Sequence, residues 1–188
     1  MSIFVGAPFE KGVPHTPYQN FCVKMDEKKR QVHPIPPVYD ARSKILILGS
    51  FPSVRSREEG FFYAHPQNRF WKVLANVFGE GVPETVEEKK AFLLRNGVAL
   101  WDSIASCELH GSSDSSITKA VPNDLSPILR ACPNIRIFTN GKTSDACYRR
   151  HILPLTGVEA TCLPSTSPAN AAWSLPRLCD AWKVITEA

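Results

Sequence analysis

The 188-residue sequence predicts an α/β fold, a mostly parallel sheet covered by helices on both faces, and three observations carry that expectation. Short continuous apolar runs recur from residue 44 onward. Stretches with helical spacing of their apolar residues separate them. Gly, Pro, Asn and Ser bound each run, as they bound buried strands.

The elements follow in order. Residues 1–40 hold six prolines (Pro8, Pro14, Pro17, Pro34, Pro36, Pro37), which interrupt any long regular element, so this stretch is expected to be an N-terminal arm. Its aromatics Phe4, Phe9, Tyr18 and Phe21 imply that part of it packs on the core, and DEKKR at 26–30 is a solvated turn or helix end. The domain proper is expected over 41–188. Strands are predicted at KILIL (44–48), GVAL (97–100), IRIF (135–138) and VEATCL (158–163). Helices are predicted over 69–78, 85–96, 123–132, 142–152 and 173–188. In such a sheet the functional loops lie beyond the carboxyl ends of the strands, so a site is expected just after residues 48, 100, 138 and 163.

Composition narrows the class of function. With 43% apolar and 21% charged residues the chain reads as one soluble globular domain. A net charge of +4 permits contact with a polyanion without itself naming one. Six cysteines (Cys22, Cys107, Cys132, Cys147, Cys162, Cys179) show no C-x-x-C pair and no metal-ligand spacing with histidine, so they read as reduced, mostly buried thiols and no metal or other cofactor is expected. No apolar run reaches the length of a membrane span, and the first residues lack the pattern of a secretory signal. The expected compartment is intracellular, cytoplasm or nucleus.

Two segments stand out at the predicted strand ends. Gly49-Ser50-Phe51-Pro52-Ser53 is a turn that brings backbone close to whatever occupies the site, or simply a tight connection. Phe61-Phe62-Tyr63-Ala64-His65-Pro66-Gln67-Asn68-Arg69-Phe70-Trp71 places large rings, an imidazole and an amide in a loop entering a helix. Asn68 is suited to capping that helix as well as to chemistry. His65 reads most simply as a packing residue with a hydrogen bond. Phe70 and Trp71 are expected in the core, and Tyr63 is the better stacking candidate. Read from the residues alone, Asp102 is a helix cap or half of a buried ion pair with an arginine. Asn140-Gly141 is expected to cap the next helix rather than to offer amides to phosphate.

Taken together, GSFPS and YAHPQNRFWKVL resemble the uracil-DNA-glycosylase superfamily, in its mismatch-specific type, and are most similar to the hypoxanthine-DNA (deoxyinosine) glycosylase branch. The segments at 97–117, 123–144 and 163–171 agree in order, so the resemblance covers about residues 44 to 184. It implies a three-layer α/β/α sandwich around a four-stranded parallel sheet. The implied activity is monofunctional base excision, hydrolysing the N-glycosidic bond of hypoxanthine or uracil flipped out of double-stranded DNA, by a monomer without cofactor.

Site residues follow from that resemblance position by position. Most of the superfamily holds the attacking water with Asp or Asn two residues after the glycine, where this chain has Phe51, which cannot accept a hydrogen bond. The branch it resembles implies that Asn68 is the catalytic group, its amide oxygen orienting water. Gly49, Ser50, Phe51, Tyr63 and Asp102 are the expected base-binding residues, Asp102 accepting a hydrogen bond from a ring N–H. Ser165, Thr166, Ser167, Ala169 and Asn170 are the expected DNA-binding loop, which lacks both the usual histidine and a bulky wedge. Arg149, Arg150 and Arg177 are further phosphate candidates, and a lyase step would need a lysine nucleophile, for which Lys72 and Lys142 are available. Phe51 in the water position leaves one rival, a lesion-recognising binder with little catalysis. A small-molecule hydrolase is disfavoured because G-x-S-x-G, P-loop and G-x-G-x-x-G are all missing.

Overall fold

A computed structural model of the chain describes residues 29–109 and 117–187. In chain order its strands are β1 (Lys29–Val32), β2 (Ile45–Gly49), β3 (Val98–Asp102), β4 (Ile104–Leu109), β5 (Thr118–Pro122), β6 (Arg136–Asn140) and β7 (Ala160–Leu163). The helices are α1 (Val54–Glu59), α2 (Phe70–Phe78), α3 (Val86–Arg95), α4 (Ser126–Ala131), α5 (Lys142–Cys147), α6 (Leu153–Thr156) and α7 (Leu175–Trp182), with a π-helical turn over Tyr148–Ile152 joining α5 to α6.

Four strands form the expected parallel sheet, in the order β3-β2-β6-β7. Period-two alternation along β2 sends its side chains to opposite faces, and both faces are covered. Ile45 and Ile47 join Phe70, Phe92, Leu178 and Trp182 from α2, α3 and α7. Leu46 and Leu48 join Ile128 of α4 with Tyr148 and Ile152 of the π-helical turn. The result is the three-layer sandwich, with all five residues of β2 buried. Because β3 and β6 lie on opposite sides of β2, the chain leaves the carboxyl end of β2 in diverging directions, and a crevice opens there.

A second sheet was not anticipated. Strands β1, β4 and β5 form an antiparallel sheet in the order β1-β4-β5, with β4 following β3 after a single residue. Its sequences, KRQV, IASCEL and TKAVP, carry little apolar periodicity, and β5 is mostly exposed. Pairing between partner strands carries much of their stability, although β4 buries Ile104 and Cys107, so hydropathy alone does not reveal them.

The same sheet draws residues 29–40 into the body of the molecule. Arg30 pairs in register with Glu108, Val38 bridges Leu100, and Ile35 and Val38 are buried in the core. The expected division at residue 40 therefore does not hold for this stretch. Phe4, Phe9, Tyr18 and Phe21 lie outside the described residues.

Candidate nucleic-acid site

The crevice is floored by Gly49, the last residue of β2. A Cβ at this position would collide with Asp102 Oδ1 and lie 2.8 Å from Tyr63 Oη, so only glycine leaves room for both side chains. Tyr63 reaches it from a left-handed backbone (φ 54°), its ring stacked on Phe70 at 3.9 Å between centroids and 17° between planes. The Ser144 hydroxyl, buried under the turn, lies 2.8 Å from both Leu48 O and Gly49 O and ties α5 to the end of β2.

Asp102, at the end of β3, is 3% exposed and pairs with His33, a residue that the sequence offered no reason to single out. His33 Nε2 lies 2.8 Å from Asp102 Oδ2, while Ile35 N–H donates to His33 Nδ1 at 3.2 Å. A ring nitrogen that accepts a backbone N–H carries no proton, so the imidazole proton sits on Nε2 and His33 donates to the carboxylate. Asp102 is thus neither a helix cap nor the partner of an arginine. Oδ1, turned toward Gly49, remains as an acceptor in the crevice.

Asn68 stands two residues before α2, whose cap position is Arg69 and carries no side-chain cap bond; its Oδ1 accepts the N–H of Phe70, the first helical residue, at 3.0 Å. The same oxygen accepts from the Thr166 hydroxyl, also at 3.0 Å. Thr166 is held in turn by Asn140, the last residue of β6, whose Oδ1 accepts Thr166 N–H (3.0 Å) and whose Nδ2 donates to Thr166 Oγ1 (2.9 Å). Every proton in this chain is assigned, because both backbone N–H groups can only donate. Asn140 therefore does not cap α5, whose cap position is held by Gly141, which has no side chain to cap with. The expected use of the Asn68 amide oxygen to orient water meets an obstacle: both of its lone pairs are occupied.

The loop after β7 is shaped by Arg69, another residue not singled out in the sequence. Its guanidinium donates to the carbonyls of Thr166 (3.3 Å), Ser167 (2.6 Å), Asn170 (3.1 Å) and Trp173. Four carbonyls converging on one planar cation fold residues 166–173 around it. No local pattern announces these bonds, since they join positions about a hundred residues apart. Within the loop, Ser165, Ser167 and Asn170 are half-buried and Ala169 is exposed, whereas Thr166 is fully buried. The Thr166 side chain faces the relay and cannot reach a phosphate, which corrects its expected place among the DNA contacts. Gly141 (φ 95°) permits the loop to close over β6, since a Cβ there would sit 2.8 Å from Ser165 Cβ.

The remaining candidates divide. Phe51 is 7% exposed and packs with Ile104, Cys107 and Cys147, its ring met edge-on by His33 at 5.8 Å. Beneath it, burial first and then the neighbouring Cys107 push the Cys147 thiol up to about 11, so this cysteine serves as packing and not as a nucleophile. Ser50 is buried, and its carbonyl accepts Ile104 N–H. Phe70 and Trp71 are in the core as expected, while His65 is exposed, its Nδ1 accepting Gln67 N–H. Arg149 is paired with Asp145 and Glu159, and Arg177 lies over Trp173. Among the described residues no cluster of His, Cys, Asp or Glu could hold a metal ion, and no helix is long and apolar enough to cross a membrane.

Comparison with known proteins places this architecture. The Uracil DNA glycosylase superfamily model matches residues 36–187. The chain belongs to the uracil DNA glycosylase superfamily. Among its relatives in this superfamily, a hypoxanthine DNA glycosylase of Methanosarcina acetivorans is 34% identical over 152 residues, covering 80% of this chain and 94% of that protein. A hypoxanthine DNA glycosylase of Methanosarcina barkeri is 34% identical over 137 residues, covering 72% and 85%. The solution NMR structure of a candidate uracil DNA glycosylase from Methanosarcina acetivorans superposes with a TM-score of 0.69 at 31% identity, over 82% of this chain and 98% of that one. The superfamily match begins three residues after His33, so the partner of Asp102 comes from a strand-and-turn segment upstream of the matched region.

Proposed function

We propose that the chain is a DNA glycosylase that hydrolyses the N-glycosidic bond of a deaminated base, hypoxanthine or uracil, swung out of double-stranded DNA, and that it acts as a monomer. The observation that carries this reading is the buried Asp102 carboxylate, held by His33 as an acceptor at the floor of the crevice. Deamination converts a ring nitrogen that accepts into one that donates: N1 of adenine becomes N1–H in hypoxanthine, and N3 of cytosine becomes N3–H in uracil. A fixed acceptor rewards that change. Against the parent base two lone pairs would face each other, leaving a buried group unpaired at a cost of about 1–3 kcal/mol.

The other residues take supporting roles. Tyr63, braced by Phe70, offers the flipped base an aromatic neighbour, and the tight turn at Gly49-Ser50-Phe51 supplies backbone and an apolar wall. Ser165, Ser167, Ala169 and Asn170, on the loop set by Arg69, are assigned to the phosphates beside the extruded nucleotide, the two serines through hydroxyl protons that accepting from Ser167 N–H and Ala169 N–H leaves free to donate. The glycosidic bond breaks with an oxocarbenium-like sugar and a departing anionic base, so catalysis rests on placed hydrogen-bond donors and a water, with no lysine nucleophile required.

The test is a labelled duplex carrying one deoxyinosine or deoxyuridine opposite each of the normal bases, incubated with the protein and then treated with alkali. A strand break at the lesion is expected. Retention of the lesion duplex on a gel without a break opposite any base would replace the enzyme by a lesion-binding protein.

A further inference from the structure

Resting on the glycosylase reading, we propose that Asn68 acts on the departing base through its amide NH2 group, as a hydrogen-bond donor, and that Thr166 and Asn140 are the positioning residues that hold it in that orientation. The inference follows from proton accounting. Phe70 N–H and Thr166 N–H are fixed donors, so the atoms facing them are Asn68 Oδ1 and Asn140 Oδ1. Asn140 Nδ2 then donates to the Thr166 hydroxyl, which has one proton left and gives it to Asn68 Oδ1. Rotating the Asn68 amide by half a turn would set its NH2 against the Phe70 N–H, two donors face to face, and would take from the Thr166 proton the oxygen that accepts it. The orientation is therefore built in. The NH2 group points away from both partners and makes no hydrogen bond among the described residues.

A donor suits the place where negative charge develops. In hydrolysis the C1′–N bond breaks and its electron pair stays with the base. Water adds its oxygen to C1′ and loses a proton to solvent, and the base nitrogen gains a proton, giving free base and a sugar hydroxyl. Asn68 transfers nothing: its N–H strengthens a hydrogen bond to an acceptor atom of the base as that atom grows more negative, which lowers the barrier without a proton leaving the amide. Phe51 fits this arrangement, because it brings no acceptor to the position that holds water in most of the superfamily, and the leaving-group side of the reaction has to carry more of the catalysis.

Asn68→Asp separates the alternatives. A carboxylate can still accept from Phe70 N–H and Thr166, so the fold is retained, as a melting curve would show, but it presents an oxygen in place of NH2. With a deoxyinosine duplex under single-turnover conditions, the donor role predicts a loss of about 100- to 1,000-fold near neutral pH. That variant should regain rate as the pH falls toward about 4, where a protonated carboxyl can donate, while the parent shows no such rise. Thr166→Val should slow excision about tenfold and lower the melting temperature by a few degrees, because the buried Asn140 NH2 loses its acceptor, while Thr166→Ser should restore the rate. If Asn68→Asp cleaves near the parental rate, or loses rate as the pH falls, Asn68 holds water through oxygen and the donor role is overturned while the glycosylase reading stands. Parental rates in Thr166→Val would remove the positioning role. A parent protein that leaves every deoxyinosine duplex uncut overturns both readings.

Discussion

His33 and Asp102 show how one backbone amide decides the chemistry of a buried pair. Ile35 N–H occupies Nδ1, Nε2–H goes to the carboxylate, and one acceptor oxygen is left for the crevice. Replacing His33 by Leu removes the donor while filling the space. The single-turnover rate on deoxyinosine should drop about tenfold, the scale of one hydrogen bond, and His33→Gln, whose amide can still donate, should recover part of it. Equal rates in all three proteins would mean that Asp102 needs no partner. At Gly49 the argument is one of space. Gly49→Ala sets a methyl group against Asp102 and Tyr63, so at least a 100-fold loss of excision is expected, with overpacking lowering stability by about 1–3 kcal/mol. Excision at the parental rate with a normal melting curve would show that the crevice lies elsewhere. Gly49 and Asp102 were legible as candidates because they fall at strand ends, and Tyr63 and Asn68 because they belong to the YAHPQN motif that carries the family resemblance. His33 and Asn140 were not legible in these roles, because a lone imidazole in a proline-rich stretch and an Asn-Gly pair have commoner uses.

At the scale of elements, α2 links the two halves of the site. Its first N–H, that of Phe70, is accepted by Asn68, its buried face supplies Phe70 beneath Tyr63, and Arg69 at its cap position clamps the loop after β7. A lysine in place of Arg69 keeps the charge but cannot serve four carbonyls with three rotatable protons on one atom. Arg69→Lys should therefore lose about 2–3 kcal/mol of stability in a denaturant titration and weaken binding to a lesion duplex about tenfold. Tighter or equal binding would show that the loop needs no clamp. The strands of the parallel sheet were predictable because each is a continuous apolar run covered on both faces. The antiparallel sheet escaped because its strands depend on register with one another and β4·β5 is interrupted by shifts between Ile104 and Ser106 and between Ser106 and Glu108.

For the whole molecule, the boundary of the folded unit is the point that experiment reaches most directly. Residues 29–40 contribute a strand, two core side chains and the partner of Asp102. A chain beginning at residue 41 should melt well below one beginning at residue 29, because it opens the edge of the antiparallel sheet, empties the places of Ile35 and Val38, and leaves the buried Asp102 unpaired. Matching melting temperatures for the two would restore the division at residue 40. From the sequence alone came the α/β class, the four parallel strands, the family resemblance and the strand ends where the site residues gather, because hydrophobic periodicity and contiguous motifs are local properties. Tertiary structure alone decided which atom of Asn68 is bonded to Thr166, what holds Asp102, and why Thr166 points inward. Those outcomes depend on hydrogen bonds between residues 26 to 98 positions apart, and a donor or acceptor finds its partner only once the chain has folded.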